Sequence, residues 1–127
     1  MELRKDPVTL SWMLVGDVEE HAAPEPGPCP FCEGSAAPPE ARKLVFAMPG
    51  SGVRVYAHAR PLYRIEGEER RAAEGIYDRM RPVGAHEVIV ENAQHDRPLS
   101  AASDQEVELV LRAYAHRISD QIGRAHV

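Results

Sequence analysis

Two cysteines, separated by two residues in Cys29-Pro30-Phe31-Cys32, are the only thiols in a chain of 127 residues. Such a spacing lets both sulfurs point to one side of a turn, where they can grip a metal ion that takes two further N, S or O ligands. A redox pair would instead place the first thiol at a helix N-terminus, where amide dipoles lower its pKa, and Glu33-Gly34-Ser35-Ala36-Ala37-Pro38 is a poor helix opening. An unliganded pair is the third reading, and one CxxC does not choose among them. The surroundings favour metal: residues 22–41 hold more than half of the eleven prolines, together with Gly27 and Gly34. A segment so poor in backbone donors needs a local constraint, and zinc supplies folding free energy directly.

Six histidines could extend the pair: His21, His58, His86, His95, His116 and His126. His116 falls inside a helical pattern, and His86 begins an alternating strand. His95 sits in the polar turn Asn92-Ala93-Gln94-His95-Asp96, where a side chain can be aimed freely and Asp96 could support the ring. The residues alone leave His95 open between a ligand and a hydrogen-bonded surface histidine.

The elements around these residues are those of one modest domain spanning 1–127. A 14.1 kDa chain that is 43% hydrophobic and 6% aromatic has material for a single core. Residues 8–16 read as a strand ending at Gly16. Residues 44–48 and 53–57 read as two strands joined by Pro49-Gly50-Ser51-Gly52, and residues 66–75 as solvated surface. In residues 86–92 alternation puts Val88 and Val90 on one side, with Ile89, Glu87 and Glu91 on the other. Ser103 followed by Glu106 forms a capping box for a helix over 104–122, about 28 Å long at roughly 1.5 Å per residue. Val107, Val110, Leu111, Tyr114, Ile118 and Ile122 mark its predicted apolar face. Strands followed by one long helix predict an α+β fold, an antiparallel sheet covered by a C-terminal helix.

Acidic residues outnumber Lys plus Arg by 20 to 15, with no charged tail, so no nucleic-acid partner is expected. No apolar run approaches the roughly 18 residues of a membrane span and the first ten residues are too charged for a secretory signal. A cytoplasmic protein with reduced thiols is the expectation.

Three separated motifs in order carry a resemblance: Glu2 to Trp12, Cys29 to Gly34 with Pro38-Pro39-Glu40 behind it, and Gly84 to Glu91 followed by His95-Asp96 and the long helix. The chain resembles the amino-terminal half of a galactose-1-phosphate uridylyltransferase. The resemblance implies a histidine-triad-like half domain from a family that moves UMP from UDP-glucose to a hexose 1-phosphate through a uridylylated histidine. It implies that Cys29, Cys32 and His95 match three ligands of a structural Zn²⁺, with residues 22–41 forming the metal-binding loop. The family's fourth ligand is a histidine beyond the helix; His21, another histidine, a carboxylate, water or a partner chain are the alternatives here.

The chain has no His-x-His-x-His series, so the imidazole that would attack the α-phosphorus is missing from it. His58 stands where the family has a nucleotide-pocket asparagine, and Asp17-Val18-Glu19-Glu20 stands where it has phosphate-contacting arginines. Two functions follow as expectations: a uridylyltransferase-like chain inactive by itself, with a nucleotide sugar as possible ligand, or a non-catalytic zinc-stabilised structural or interaction module. Either predicts a homodimer or a complex with a complementary chain equivalent to the carboxy-terminal half.

Overall fold

A computed structural model describes residues 1–16, 27–37 and 42–125, without the side chains of residues 124 and 125. The architecture is α+β, as expected: two antiparallel sheets and one long helix. Chain contacts divide it into two compact units, Met1–Glu25 with Leu62–Ala85, and Pro26–Pro61 with His86–Val127.

The first unit holds a four-stranded sheet in the order β2 (Trp12–Val15), β1 (Glu2–Lys5), β6 (Tyr77–Met80), β5 (Ala72–Glu74). The strand expected over 8–16 is confined to residues 12–15. Asp6 accepts from the amides of Val8 and Thr9, and Leu10 takes φ 61°, so residues 6–11 turn back on themselves and leave β1 to pair with β2. Within the polar run 66–75, residues 72–74 form β5, an exposed strand without the alternation that would reveal it.

The second unit holds the sheet β3 (Lys43–Ala47), β4 (Arg54–Ala57), β7 (Glu87–Val90) and the helix α1 (Asp104–Ala125). Partner pairs Val55↔Ile89 and Tyr56↔Val88 fix the faces: Val55 and Ile89 look to one side, Tyr56 and Val88 to the other. A register shift between Leu44 and Phe46 bulges β3, at one end of this sheet. Val53, Val110 and Ala113 form the buried cluster between sheet and helix, joined by Met48, Ile89 and Tyr114.

The capping box forms as predicted, with Glu106 accepting from the Ser103 amide (2.7 Å) and the Glu106 amide donating to Ser103 Oγ (3.3 Å). The apolar stripe, however, is rotated from its predicted position. The face against the sheet runs through Val110, Ala113 and Arg117, while Leu111, Ile118 and Ile122 are each more than half exposed. Polar bonds set this rotation. Arg117, 6% exposed, makes two hydrogen bonds to Glu87 at 2.8 and 2.9 Å and one to Asp120 at 2.9 Å. Tyr114 donates to Glu91 at 2.7 Å. Glu87 of β7 and Glu91 just beyond it therefore share the helix-facing side with Ile89, as their alternation predicts, and draw an arginine and a tyrosine inward ahead of the isoleucines. No helix among the described residues is long and apolar enough to cross a membrane.

A buried charge left without its partner costs about 3–5 kcal/mol. Arg117→Ala should therefore lower the unfolding free energy by about that amount, whereas Ile118→Ala should change it by only about 0.5 kcal/mol. Urea denaturation of both variants at neutral pH checks the pair; equal effects would mean that the exposed stripe, not Arg117, holds the helix.

Candidate metal centre

The cysteine turn is built from local bonds. The Cys32 amide donates to the Cys29 carbonyl (3.4 Å) and the Ser35 amide to the Cys32 carbonyl (3.2 Å), with Gly34 at φ 68° between them. Phe31 anchors this turn on the sheet face opposite the helix, its ring centroid 5.3 Å from that of Tyr56. The parts of the proline-rich loop at residues 22–26 and 38–41 lie outside the described residues, as does His21.

His95 arrives from a different part of the chain, on the turn after β7. Asn92 braces that turn from both ends: its Oδ1 accepts from the Gln94 amide (2.8 Å), and its Nδ2 donates to the Arg97 carbonyl (3.1 Å). Arg97 then ties the turn to the start of α1 through a two-pronged pair with Glu106 at 2.6 and 2.8 Å and a bond to the Ala101 carbonyl. With its charge and hydrogen bonds from Arg97 and Ser103, the Glu106 carboxyl is held down at about 2. Gly52 completes the brace from the β3–β4 side. A Cβ there would stand 2.9 Å from the Ala93 amide nitrogen, so only glycine lets the two turns meet this closely.

These braces bring Cys29, Cys32 and His95 together. Their ligand atoms lie within 4.8 Å of one another, and Cys32 Sγ is 3.3 Å from His95 Nδ1. A tetrahedral ion with bonds of about 2.0–2.3 Å separates neighbouring ligand atoms by roughly 3.5–3.8 Å, which this cluster meets with small adjustments. Two sulfurs and an imidazole are also a donor set suited to zinc rather than to magnesium or calcium. The other ring nitrogen of His95 faces Asp96 Oδ1 at 3.9 Å. Among the described residues no other group of three histidine, cysteine or acidic side chains is placed to hold a metal.

The two thiols are electrically unlike. The Phe31 amide donates to Cys29 and lowers its pKa, whereas desolvation and the neighbouring Cys29 raise that of Cys32. Arg54 lines the same cleft of about 320 Å³, and its Nε is buried without a hydrogen-bond partner. Periodicity alone does not single out Arg54; alternation on β4 turns it to the Tyr56 side, beside the cysteines. Asn92 and Arg97 escaped sequence reading as well, because their partners are set by the turn and the helix start rather than by any periodic spacing.

The remaining described histidines lie elsewhere. His58 and His86 stack across the ends of β4 and β7, centroids 4.1 Å apart and planes 10° from parallel, and the His58 amide donates to the His86 carbonyl. His116 stacks on Phe46 at 4.2 Å. Neither arrangement is a triad.

No family model matches the chain. Among solved structures it is similar to a uridylyltransferase at 32% identity and TM-score 0.64, covering 97% of this chain and 36% of that one. A uridylyltransferase mutant gives 29% identity and TM-score 0.63 over 94% and 34% of the two chains. The fold is that of the uridylyltransferase-like nucleotidyltransferases. The ADP-glucose phosphorylase of Arabidopsis thaliana is 27% identical over 93% of this chain and 38% of its own length. The chain thus spans little more than a third of the relatives it matches, and the relationship is one of fold rather than of the narrower galactose-1-phosphate family.

In metal-free protein Cys29 should be the first thiol to ionise, so limiting iodoacetamide near pH 7.5 should modify it ahead of Cys32, as read by peptide mass spectrometry. Equal labelling would remove the Phe31 amide as the distinguishing influence. His86, whose pKa is lowered by burial and by His58, disfavours protonation in the folded state. The unfolded chain takes up that proton first, so stability should decline as pH falls below about 6.5 and through the lowered folded value. His86→Gln should flatten the change in urea midpoint between pH 7.5 and 5.5; an unchanged slope would discard His86 as its source.

Proposed function

We propose that this chain is a zinc-stabilised structural module of the uridylyltransferase-like fold, serving in protein interaction rather than in catalysis by itself. The observation that supports it best is the convergence of Cys29, Cys32 and His95 from positions 63 residues apart, onto a sheet face to which the described loop is otherwise tied only through the Phe31 ring on Tyr56 and the Arg42 guanidinium on the Ser35 carbonyl. Zinc held there by these three residues and a fourth donor would fasten the loop to the sheet and supply folding free energy, the usual work of a site whose positions are filled by protein.

A second reading retains the transferase chemistry. The similarity to solved uridylyltransferases supports UMP transfer between a nucleotide sugar and a hexose 1-phosphate, as in galactose metabolism, by a complex in which a complementary carboxy-terminal-half chain brings the histidine nucleophile. The phosphorylase relative is named for an adenine nucleotide, so uridine is one of two bases this fold handles by name.

Purified chain should contain about one zinc per molecule by metal analysis, with Cys32→Ser or His95→Ala weakening retention by roughly tenfold or more. Chelation should lower the thermal midpoint, and zinc should restore it. Full stability after chelation, with no stoichiometric metal, would end the structural-zinc reading. Zinc-loaded chain should give no UMP transfer between UDP-glucose and galactose 1-phosphate; a uridylylated histidine formed without any partner chain would overturn the non-catalytic reading.

A further inference from the structure

Arg54 sits on the middle strand of its sheet, on the face that carries the cysteine turn. Its ladder partners are Ala47 on β3 and Val90 on β7, so neither neighbouring strand sets a carboxylate opposite it. The guanidinium carbon lies 5.9 Å from the centre of the Tyr56 ring, the ring that Phe31 also covers. A ring face attracts the cation but accepts no in-plane bond from the Nε–H. Among the described residues this Nε is the one buried side-chain nitrogen or oxygen without a hydrogen-bond partner. It is shut off from solvent, so its acceptor has to be an atom of the cleft itself rather than a ligand arriving from outside. The cleft holds two atoms whose acceptor strength can change, the sulfurs of Cys29 and Cys32. A thiol accepts weakly, a thiolate strongly. Metal uptake makes that change, because each cysteine releases its thiol proton to solvent as it becomes a ligand. Cys32 is the thiol on which the Arg54 charge bears: burial and Cys29 raise it, and Arg54 acts against them.

We propose that Arg54 is a positioning residue of the metal centre, whose Nε–H donates to the sulfur of Cys32 once that sulfur is bound to zinc. The bond answers the orphaned donor, and the guanidinium offsets the negative charge that the thiolate keeps on the metal. Arg54 thereby strengthens zinc binding while adding nothing to the metal-free fold, in which its Nε is unpaired. The same bond draws electron density from the Cys32 sulfur and makes the bound thiolate a poorer nucleophile. That suits a centre that fastens a loop rather than one that reacts. The inference rests on the structural-zinc reading and adds the residue that tunes the site.

The test compares the wild-type chain with Arg54→Met, which keeps the bulk and removes donor and charge, and with Arg54→Lys, which keeps the charge without the planar donor. Metal-free Arg54→Met should unfold at a urea midpoint no lower than wild type, since it loses only an unanswered donor. Its zinc affinity, read by competition with a chromophoric chelator, should fall by roughly tenfold or more. With Co²⁺ as the probe, the sulfur-to-metal charge-transfer band should move to lower energy in Arg54→Met, because a thiolate freed of a hydrogen bond gives up its electrons more readily. Under excess zinc, iodoacetamide should alkylate Cys32 several-fold faster in that variant and Cys29 at the wild-type rate. Arg54→Lys should regain part of the affinity and keep the shifted band; a lysine variant equal to wild type in both would mean that charge alone suffices, and would overturn the bond. Unchanged affinity and band in Arg54→Met would overturn the inference. So would a lowered metal-free midpoint with both cysteines alkylated faster, the mark of a residue that only packs. A wild-type chain that binds neither Co²⁺ nor zinc would overturn the zinc reading and this inference with it, whereas a loaded wild type with unaffected variants removes Arg54 alone, so the two failures are told apart.

Discussion

The pairing of Arg117 with Glu87 sets the geometry on which the second unit depends. A guanidinium 6% exposed has to find its hydrogen bonds inside the protein, and the carboxylate that provides them sits on the helix-facing side of an edge strand. The helix is therefore rotated to satisfy a charge before it is rotated to bury every apolar residue. Ala113, with no bulk, fits the closest approach, and Val110 fills the cluster with Val53. Exposure of the isoleucines is the counterpart of that choice: a polar requirement at one position left apolar surface uncovered at three others.

From the same strand the chain passes into the turn that carries His95. Its position depends on Asn92 across the turn, on Arg97 reaching Glu106 at the start of the helix, and on Gly52 admitting Ala93. The cysteine turn, by contrast, has fewer supports: two backbone bonds within itself, the Phe31 ring on Tyr56 and the Arg42 guanidinium on the Ser35 carbonyl. The cluster thus joins a braced histidine to a lightly held pair of thiols. An ion shared between them would constrain the loop far more than the sheet.

The sequence made the second unit more legible than the first. Residues 44–48, 53–57 and 86–92 are β-branched or alternating, and the Ser103–Glu106 box states where the helix begins; each signal is local and each element formed. Glu2–Lys5, Ala72–Glu74 and Tyr77–Met80 are polar or charged strands with little burial, so neither alternation nor an apolar run announced them. The helix was legible but its rotation was not, because periodicity ranks isoleucine above arginine and is blind to a glutamate waiting on the sheet. At the metal cluster, the thiols declared themselves by spacing. His95 needed the wider likeness to distinguish it from other polar-turn histidines, and the bracing by Asn92 and Arg97 is a property of the folded chain alone.

The bulge between Leu44 and Phe46 has a consequence for assembly. Edge-to-edge growth of a sheet into a filament requires every molecule to present two competent edges, one to receive and one to offer. In this sheet the regular edge is β7. The opposite edge, β3, has its ladder interrupted by the bulge and begins with Lys43, which disrupts pairing there. An edge blunted in this way cannot pass pairing on to a neighbour, so the sheet is protected from edge-to-edge polymerisation on the β3 side whatever covers its other edge.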